Sequence, residues 1–109
     1  MTTAVESSAV PRGGAELTSE VERQRFAEIS RALADPKRLC VLEILSSGER
    51  SVGDLSREAS CHVPNMSQHL AVLRAAGLVT SRREGSTVFY RLTDPRILEA
   101  YRLIQSVAR

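Results

Sequence analysis

Few residues of this chain could carry out covalent or metal chemistry. Cys40 and Cys61 are its two cysteines, and His62 and His69 its two histidines. The cysteines lie too far apart for a CxxC redox or zinc motif and are too few for a disulfide framework, so we expect thiols in a reducing compartment. Cys61 beside His62 is the one nominal nucleophile and base pair, but adjacent residues on a turn usually point apart. The sequence therefore predicts a protein that is not an enzyme.

Residues 63–76 carry side chains that could hydrogen-bond to nucleic acid. Small and polar residues line one face of a predicted helix, where they would allow close approach to base edges. The amides of Asn65 and Gln68 can pair bidentately with adenine in the major groove. An ordinary amphipathic surface helix would show the same pattern. The face predicted to point inward is Met66, Leu70 and Leu73.

A basic hairpin is predicted directly after this helix. Residues 60–92 carry a net charge of +3 by sequence, although the whole chain carries only +2. Arg82 and Arg83 precede a tip at Gly85, so they could reach phosphates or enter the minor groove. The alternative is a solvated strand edge that charge protects from aggregation.

These two segments supply the candidate DNA contacts. His69 lies nearer the inward face of its helix, so both a packing role and a phosphate contact stay open for it. The predicted DNA-binding residues are Pro64, Asn65, Ser67, Gln68, His69, Arg74, Arg82, Arg83, Gly85 and Thr87.

Composition limits what else the chain can be. It has 109 residues, 42% of them hydrophobic and 26% charged, which fits one small globular domain. Only 4% are aromatic, so a large enclosed substrate pocket is not expected. No apolar run approaches the ~20 residues that cross a bilayer, which predicts a cytoplasmic protein without a membrane partner.

Periodicity and start signals divide the chain. Residues 1–18 are predicted to be a mobile N-terminal arm, and residues 19–109 one domain. Ser19 with Glu22 and Ser51 with Asp54 are capping boxes, and Asp35-Pro36 and Asp94-Pro95 are further helix starts. The predicted helices cover 19–34, 36–46, 51–58 and 63–76, with a fifth after Asp94, and the predicted strands are 78–83 and 87–92. This mainly α arrangement with a β-hairpin wing is a winged helix-turn-helix of about five helices.

The first and last helices have apolar residues that need a partner. Val21, Phe26, Ile29 and Leu33 are predicted to form the buried side of the first helix. A stripe on the last helix would otherwise stay exposed on a chain this small, which predicts a homodimer. The candidate dimerisation residues are Val21, Ile97, Tyr101, Ile104 and Ala108.

From Ala32 to Leu92 the sequence resembles the ArsR/SmtB family of bacterial winged-helix repressors. The motifs that carry the resemblance are Ala32–Leu39, Met66–Val79, Arg82–Gly85 and Val88–Leu92, in the family's order. The resemblance implies a homodimer, built largely from the first and last helices, that represses a promoter and releases double-stranded operator DNA when an effector binds. It also implies that the helix from Val63 and the hairpin read the DNA. The alternative is a winged helix used purely for protein interaction, because fold does not fix function.

Two departures from the family concern the effector. Where metal-sensing members have C-x-C-D-L, this chain has Ser51 to Leu55, and it lacks the histidines of the other family metal site at Asp94-Pro95-Arg96. No metal and no cofactor is therefore predicted, and the effector is left unknown. Cys40 and Cys61 are candidates for a thiol sensor, since some relatives respond to persulfides or oxidants. The alternative is that both are small buried hydrophobic residues.

Overall fold

A computed structural model of the chain describes residues 17–109, so most of the predicted N-terminal arm lies outside the described residues. The order of elements agrees with the sequence prediction, with one short strand added. The helices are α1 (Glu20–Ala32), α2 (Pro36–Leu45), α3 (Val52–Glu58), α4 (Val63–Ala75) and α5 (Arg96–Ala108), and the strands are β1 (Arg50–Ser51), β2 (Val79–Glu84) and β3 (Thr87–Leu92).

Local side-chain caps determine where three of the helices begin. Ser19 and Glu22 form a capping box at α1, and Ser51 and Asp54 form one at α3. The Asp35 carboxylate accepts the backbone N–H groups of Lys37 and Arg38 at 2.9 and 3.0 Å, which satisfies two first-turn donors of α2. The predicted starts at Ser19, Asp35 and Ser51 are confirmed. The start at Asp94-Pro95 is one residue off, since the N-cap of α5 is Pro95, without a side-chain cap, and the helix begins at Arg96. Helix α1 ends at Ala32 instead of extending to Ala34.

The three strands form one antiparallel sheet in the order β1-β3-β2. The hairpin pairs Glu84 with Thr87 across Gly85 and Ser86. Gly85 has φ 63°, and a positive φ at the first turn position favours glycine in a two-residue hairpin loop. The predicted first strand is shifted by one residue, because the N–H of Leu78 still donates to the carbonyl of Leu73 at 2.9 Å, in the turn that ends α4. Strand β1 was missed, since two residues are too few for a periodic pattern.

One apolar core lies between α2, α3, α4 and the base of the hairpin. Its fully buried side chains confirm the predicted inward face of α4 and include side chains of α2. The largest are Val41, Leu42, Leu55, Met66, Leu70 and Leu73. This core orients α4 and the hairpin through interactions within a single chain.

Helices α1 and α5 contribute much less to this core. Ala32 is the one residue of α1 that is buried, and α5 has none. The prediction that Val21 and Phe26 are buried is wrong for the single chain, since they are 76% and 54% exposed. Ile29 and Leu33 do pack against the core. The periodicity identified the apolar residues of α1, but no element among the described residues covers the first two turns of that helix.

Candidate nucleic-acid interface

Helix α4 presents a polar face that the core orients outward. Met66, Leu70 and Leu73 are fully buried, and this holds the opposite side of the helix in solvent. Its N-cap is His62, whose side chain makes no cap hydrogen bond within the described residues. First-turn N–H groups are therefore left for solvent or an anion. The exposed residues on this face are Pro64, Asn65, Ser67, Gln68, Ala71, Arg74 and Ala75.

A turn of four residues joins α3 to α4 and makes the two a helix-turn-helix. Ser60 adopts φ 53°, and the N–H of Cys61 donates to the carbonyl of Ser56 at 2.9 Å. The Lys37 ammonium group donates to the carbonyl of Ala59 at 2.5 Å and so connects α2 to this turn. At the other end of α4, Gly77 takes φ 78°, the left-handed conformation that commonly ends a helix.

The hairpin lies beside α4 and forms an open groove with it of about 420 Å³. Tyr90 is not among the contacts predicted from the sequence. Its position two residues from the inward Leu92, on the same face of β3, is the signal that could have identified it. The groove is lined by Ser67, Ala71, Arg74, Ala75 and Tyr90.

The two arginines of the wing lie on opposite faces of the hairpin. Arg82 pairs with Phe89 and Arg83 with Val88 across the strands. Because side chains alternate along a strand, Arg83 shares its face with Tyr90 and the groove, whereas Arg82 is on the other face. Arg83 is exposed, and within residues 17–109 its side chain has no ion pair or hydrogen bond.

Arg82 is held by neighbours on its own face. Its guanidinium group donates to both carboxylate oxygens of Glu49 at 2.8 and 2.9 Å and to Glu84 at 3.2 Å. It also lies over the Phe89 ring, 4.7 Å from the centroid. Hydrogen bonding from Arg82 lowers the pKa of Glu49 below its usual range. No sequence signal connects Glu49 with Arg82, because they are 33 residues apart.

His69 is partly buried between two charged residues of α2. Its Nδ1 atom lies 3.8 Å from the Asp35 carboxylate and 3.5 Å from an Arg38 guanidinium nitrogen. The backbone N–H of Arg38 is the main reason that the pKa of Asp35 is lowered. The structure thus places His69 at the junction between α4 and α2, while the other predicted contacts on α4 are exposed.

The candidate dimerisation residues divide into two groups. Ile97 packs against the core of its own chain, and Tyr101 is partly buried, with its hydroxyl accepting a hydrogen bond from Gln105 at 3.1 Å. Ile104 is 61% exposed, and Val21 and Ala108 are also exposed. Three further apolar residues of α1 and α5 are exposed: Phe26, Leu103 and Val107.

The two positions that hold metals in other family members make local protein contacts here. Hydrogen bonding with Ser51 lowers the pKa of Asp54, which also pairs with Arg57. Asp94 accepts hydrogen bonds from the Arg96 guanidinium at 2.7 and 3.1 Å, and its pKa is lowered as a result. Within residues 17–109, no three His, Cys, Asp or Glu side chains are close enough to hold a metal ion.

Cys40 and Cys61 are both free thiols and both partly buried against the core. The Cys61 thiol lies 3.7 Å from the carbonyl oxygen of His62. Within the described part of the chain, no helix has the length and apolar character needed to cross a bilayer.

A helix-turn-helix whose second helix lies beside a β-hairpin defines a winged helix-turn-helix DNA-binding protein. The chain belongs to the arsR family of bacterial regulatory proteins, whose sequence pattern matches residues 35–81. It is a transcriptional regulator of that family, and its winged helix is a DNA-binding fold.

Known regulators resemble the chain in sequence and in structure. It is 42% identical over 88 residues to the biofilm growth-associated repressor of Agrobacterium fabrum, covering 81% of this chain and 73% of the repressor. It is 46% identical over 70 residues to the transcriptional regulator KmtR of Mycobacterium tuberculosis, covering 64% of this chain but only 54% of that regulator. A homodimeric winged helix-turn-helix DNA-binding domain from Mycobacterium bovis superimposes with a TM-score of 0.76 at 30% identity, covering 88% of this chain and 89% of that domain.

Proposed function

We propose that the chain is a homodimeric repressor that binds double-stranded operator DNA through α4 and the hairpin. The observation that carries this proposal is the groove between the exposed face of α4 and the face of the hairpin that bears Arg83. Short side chains such as Ser67 and Ala71 let α4 approach base edges, and Gln68 can pair with a base. Arg83 supplies a phosphate contact beside them.

Dimerisation is supported by the apolar side chains that α1 and α5 leave in solvent. Leu103 is 70% exposed and Val107 86%. A monomer with this surface would be prone to aggregate, whereas a two-fold contact would bury it. The similar Mycobacterium bovis domain is described as homodimeric, in agreement with this assignment. Each protomer would then present one α4 to one half-site of the operator.

Purified protein titrated with its own upstream DNA tests both parts of the proposal. We expect binding to that DNA to exceed binding to random DNA and to weaken steeply with added salt, because phosphate contacts release condensed counterions. The sedimentation mass at micromolar concentration should be that of two chains. Absence of DNA binding, with a folded dimer, would support the alternative of a winged helix used for protein interaction.

The proposed function also includes the place at which the effector acts. Since Ser51 and Gly53 stand where metal-sensing members have the two cysteines, and Asp94 is engaged by Arg96, we propose that the effector acts outside the two usual metal positions. Operator complexes should therefore resist the addition of zinc, cadmium or lead ions. Dissociation at micromolar metal that EDTA reverses would contradict this assignment.

A thiol sensor built from Cys40 and Cys61 is the second candidate. Lys37 lies one turn before Cys40 on α2 and contacts Ala59, two residues before Cys61, so the two cysteines are on neighbouring elements. A direct disulfide requires their Cα atoms within about 7 Å. Oxidation would then pull on the turn that precedes α4.

Cys61→Ser distinguishes the two roles of this cysteine. If Cys61 is a small packed residue, the variant loses stability, because a hydroxyl replaces a thiol that packs against the core, and any induction by the true effector is kept. If it is a sensor, the variant folds and binds DNA normally but no longer releases it on treatment with persulfide or peroxide. Cys40→Ser should then behave in the same way.

A further inference from the structure

Helix α1 contacts the recognition helix through an arginine that is not among the predicted DNA contacts. The guanidinium group of Arg25 donates a hydrogen bond from Nη2 to the carbonyl oxygen of Ala76 at 3.0 Å. Ala76 is the buried C-cap of α4, where the last carbonyl groups of a helix lack partners within the helix. A cation at this end also interacts favourably with the helix dipole, so the contact is a charge-assisted hydrogen bond.

The backbone after α4 is shaped to admit this side chain. A Cβ atom on Gly77 would lie only 3.0 Å from Nη2 of Arg25, and Gly77 adopts φ 78°. Glycine therefore serves both the left-handed turn and the close approach of the guanidinium group. On α1 itself, Arg25 lies 3.5 Å from the carboxylate of Glu28, one turn later.

A second arginine, Arg38 on α2, contacts the same two helices and reaches α4 nearer its start. Arg38 donates to the carbonyl oxygens of Ala32 and Arg31 at the end of α1, at 2.7 and 3.1 Å. Its Nη1 atom also lies 3.5 Å from Nδ1 of His69 on α4. His69 and Ala76 are seven residues apart, about 10 Å along a helix. Two attachments at this separation constrain the angle between α1 and α4 as well as their distance.

We infer that Arg25 is a positioning residue that sets the angle of the recognition helix relative to α1. This inference rests on the proposed function, in which α1 and α5 form the dimer and α4 enters the major groove. In such a dimer, the angle between α1 and α4 determines how far apart the two recognition helices lie. Operator half-sites must match that separation, which is about 34 Å for one turn of DNA. Arg25 therefore acts on the spacing of half-sites that the dimer accepts, without touching DNA.

The test compares Arg25→Gln with Arg23→Gln on a series of operators. Arg23 lies on the same helix but bonds only to Thr18 and Glu20 among the described residues, so its variant controls for the lost charge. In the series, the half-sites are moved apart or together by one and two base pairs. Wild type and Arg23→Gln should show one preferred spacing. Arg25→Gln should bind the preferred operator about tenfold more weakly and discriminate less between spacings. Arg25→Lys, which keeps a charged donor, should recover part of the preference.

Three results would overturn the inference. The first is an identical spacing profile for Arg25→Gln and Arg23→Gln. The second is a smaller salt dependence for Arg25→Gln, which would make Arg25 a phosphate contact. The third is a melting temperature or dimer mass of Arg25→Gln well below that of Arg23→Gln, which would make its role one of stability. Failure of the wild type to bind any operator would instead contradict the proposed function.

Discussion

The two halves of the molecule differ in whether a single chain buries their large apolar side chains. Around α2, α3 and α4, the chain buries its own large apolar side chains, including Leu42, Leu55 and Leu70 at no measurable exposure. Along α1 and α5, comparable side chains such as Phe26 and Leu103 remain in solvent. The half that holds α4 and the hairpin is therefore positioned by packing within one protomer, whereas the proposed dimer would cover the apolar side chains of the other half.

This difference separates two properties that a repressor combines. The arrangement of α4 and the hairpin in each protomer depends on packing within the chain, which is independent of protein concentration. The pairing of two protomers in the proposed dimer depends on association, which is concentration-dependent. Arg25 and Arg38 join the two halves, because each reaches both α1 and α4. A substitution should thus reveal by its concentration dependence which half it affects.

The largest expected effect is that of Leu70→Ala. Removing a fully buried leucine loses its transfer free energy and leaves a cavity, which costs about 2–5 kcal/mol of unfolding free energy. Urea unfolding should show this loss at every protein concentration. Leu103→Ala is the matched control, because Leu103 is largely exposed in one chain. Leu103→Ala should lose unfolding free energy only in the part that depends on protein concentration. An equal loss for both variants at every protein concentration would contradict the comparison.

Ile104→Asp should prevent dimerisation while leaving the protomer folded. A carboxylate at an exposed apolar position costs little in the monomer, but it would be buried without a partner in the proposed interface. Sedimentation should give the mass of a single chain, and operator affinity should fall together with it, since one half-site offers too few contacts. Ser106→Asp places the same charge two residues away on α5 and serves as the control. A dimeric Ile104→Asp protein would place the interface elsewhere.

Gln68→Ala should relax base preference without changing the fold. Gln68 is exposed on α4, and losing a base-edge contact costs about 1–3 kcal/mol at the preferred sequence. Binding to random DNA should stay near the wild-type value, which a competition assay measures. Equal losses on specific and random DNA would show that this face of α4 does not read bases.

Much of this arrangement could be predicted from local sequence signals. Capping residues such as Asp35 and Ser51 indicate helix starts, because each cap closes within three residues. The inward face of α4 follows from helical periodicity. The exposure of Phe26 and the ion pair between Glu49 and Arg82 could not be predicted, since periodicity does not specify what covers an apolar face and contacts between distant residues leave no local pattern.

The adjacent arginines of the wing provide a smaller and more direct comparison. Arg83→Ala should weaken binding to all DNA sequences alike and lower the slope of log affinity against log salt by about 0.9, as expected for one phosphate contact. Arg82→Ala should change the slope less, because Glu49 and Glu84 already neutralise Arg82 on the face opposite the groove. Salt titrations of DNA binding by both variants measure the two changes in slope. A larger effect of Arg82→Ala would mean that the wing turns its other face to DNA.

The smallest expected effect is that of Glu49→Gln, and it depends on pH. The pKa of Glu49 lies below its ordinary value of 4.5 because Arg82 donates hydrogen bonds to its carboxylate. A carboxylate whose pKa is lower in the folded state stabilises that state above pH 4.5, and this contribution is lost as the pH falls through the lowered value. Urea unfolding should therefore show the wild type slightly more stable than Glu49→Gln at neutral pH, with the difference diminishing in acid. Glu84→Gln is the control, since Glu84 accepts a single, longer hydrogen bond from Arg82 and should show a smaller difference. A difference for Glu49→Gln that stays constant into acid would mean that shape and packing, and not the charge of Glu49, hold the wing against the turn before β1.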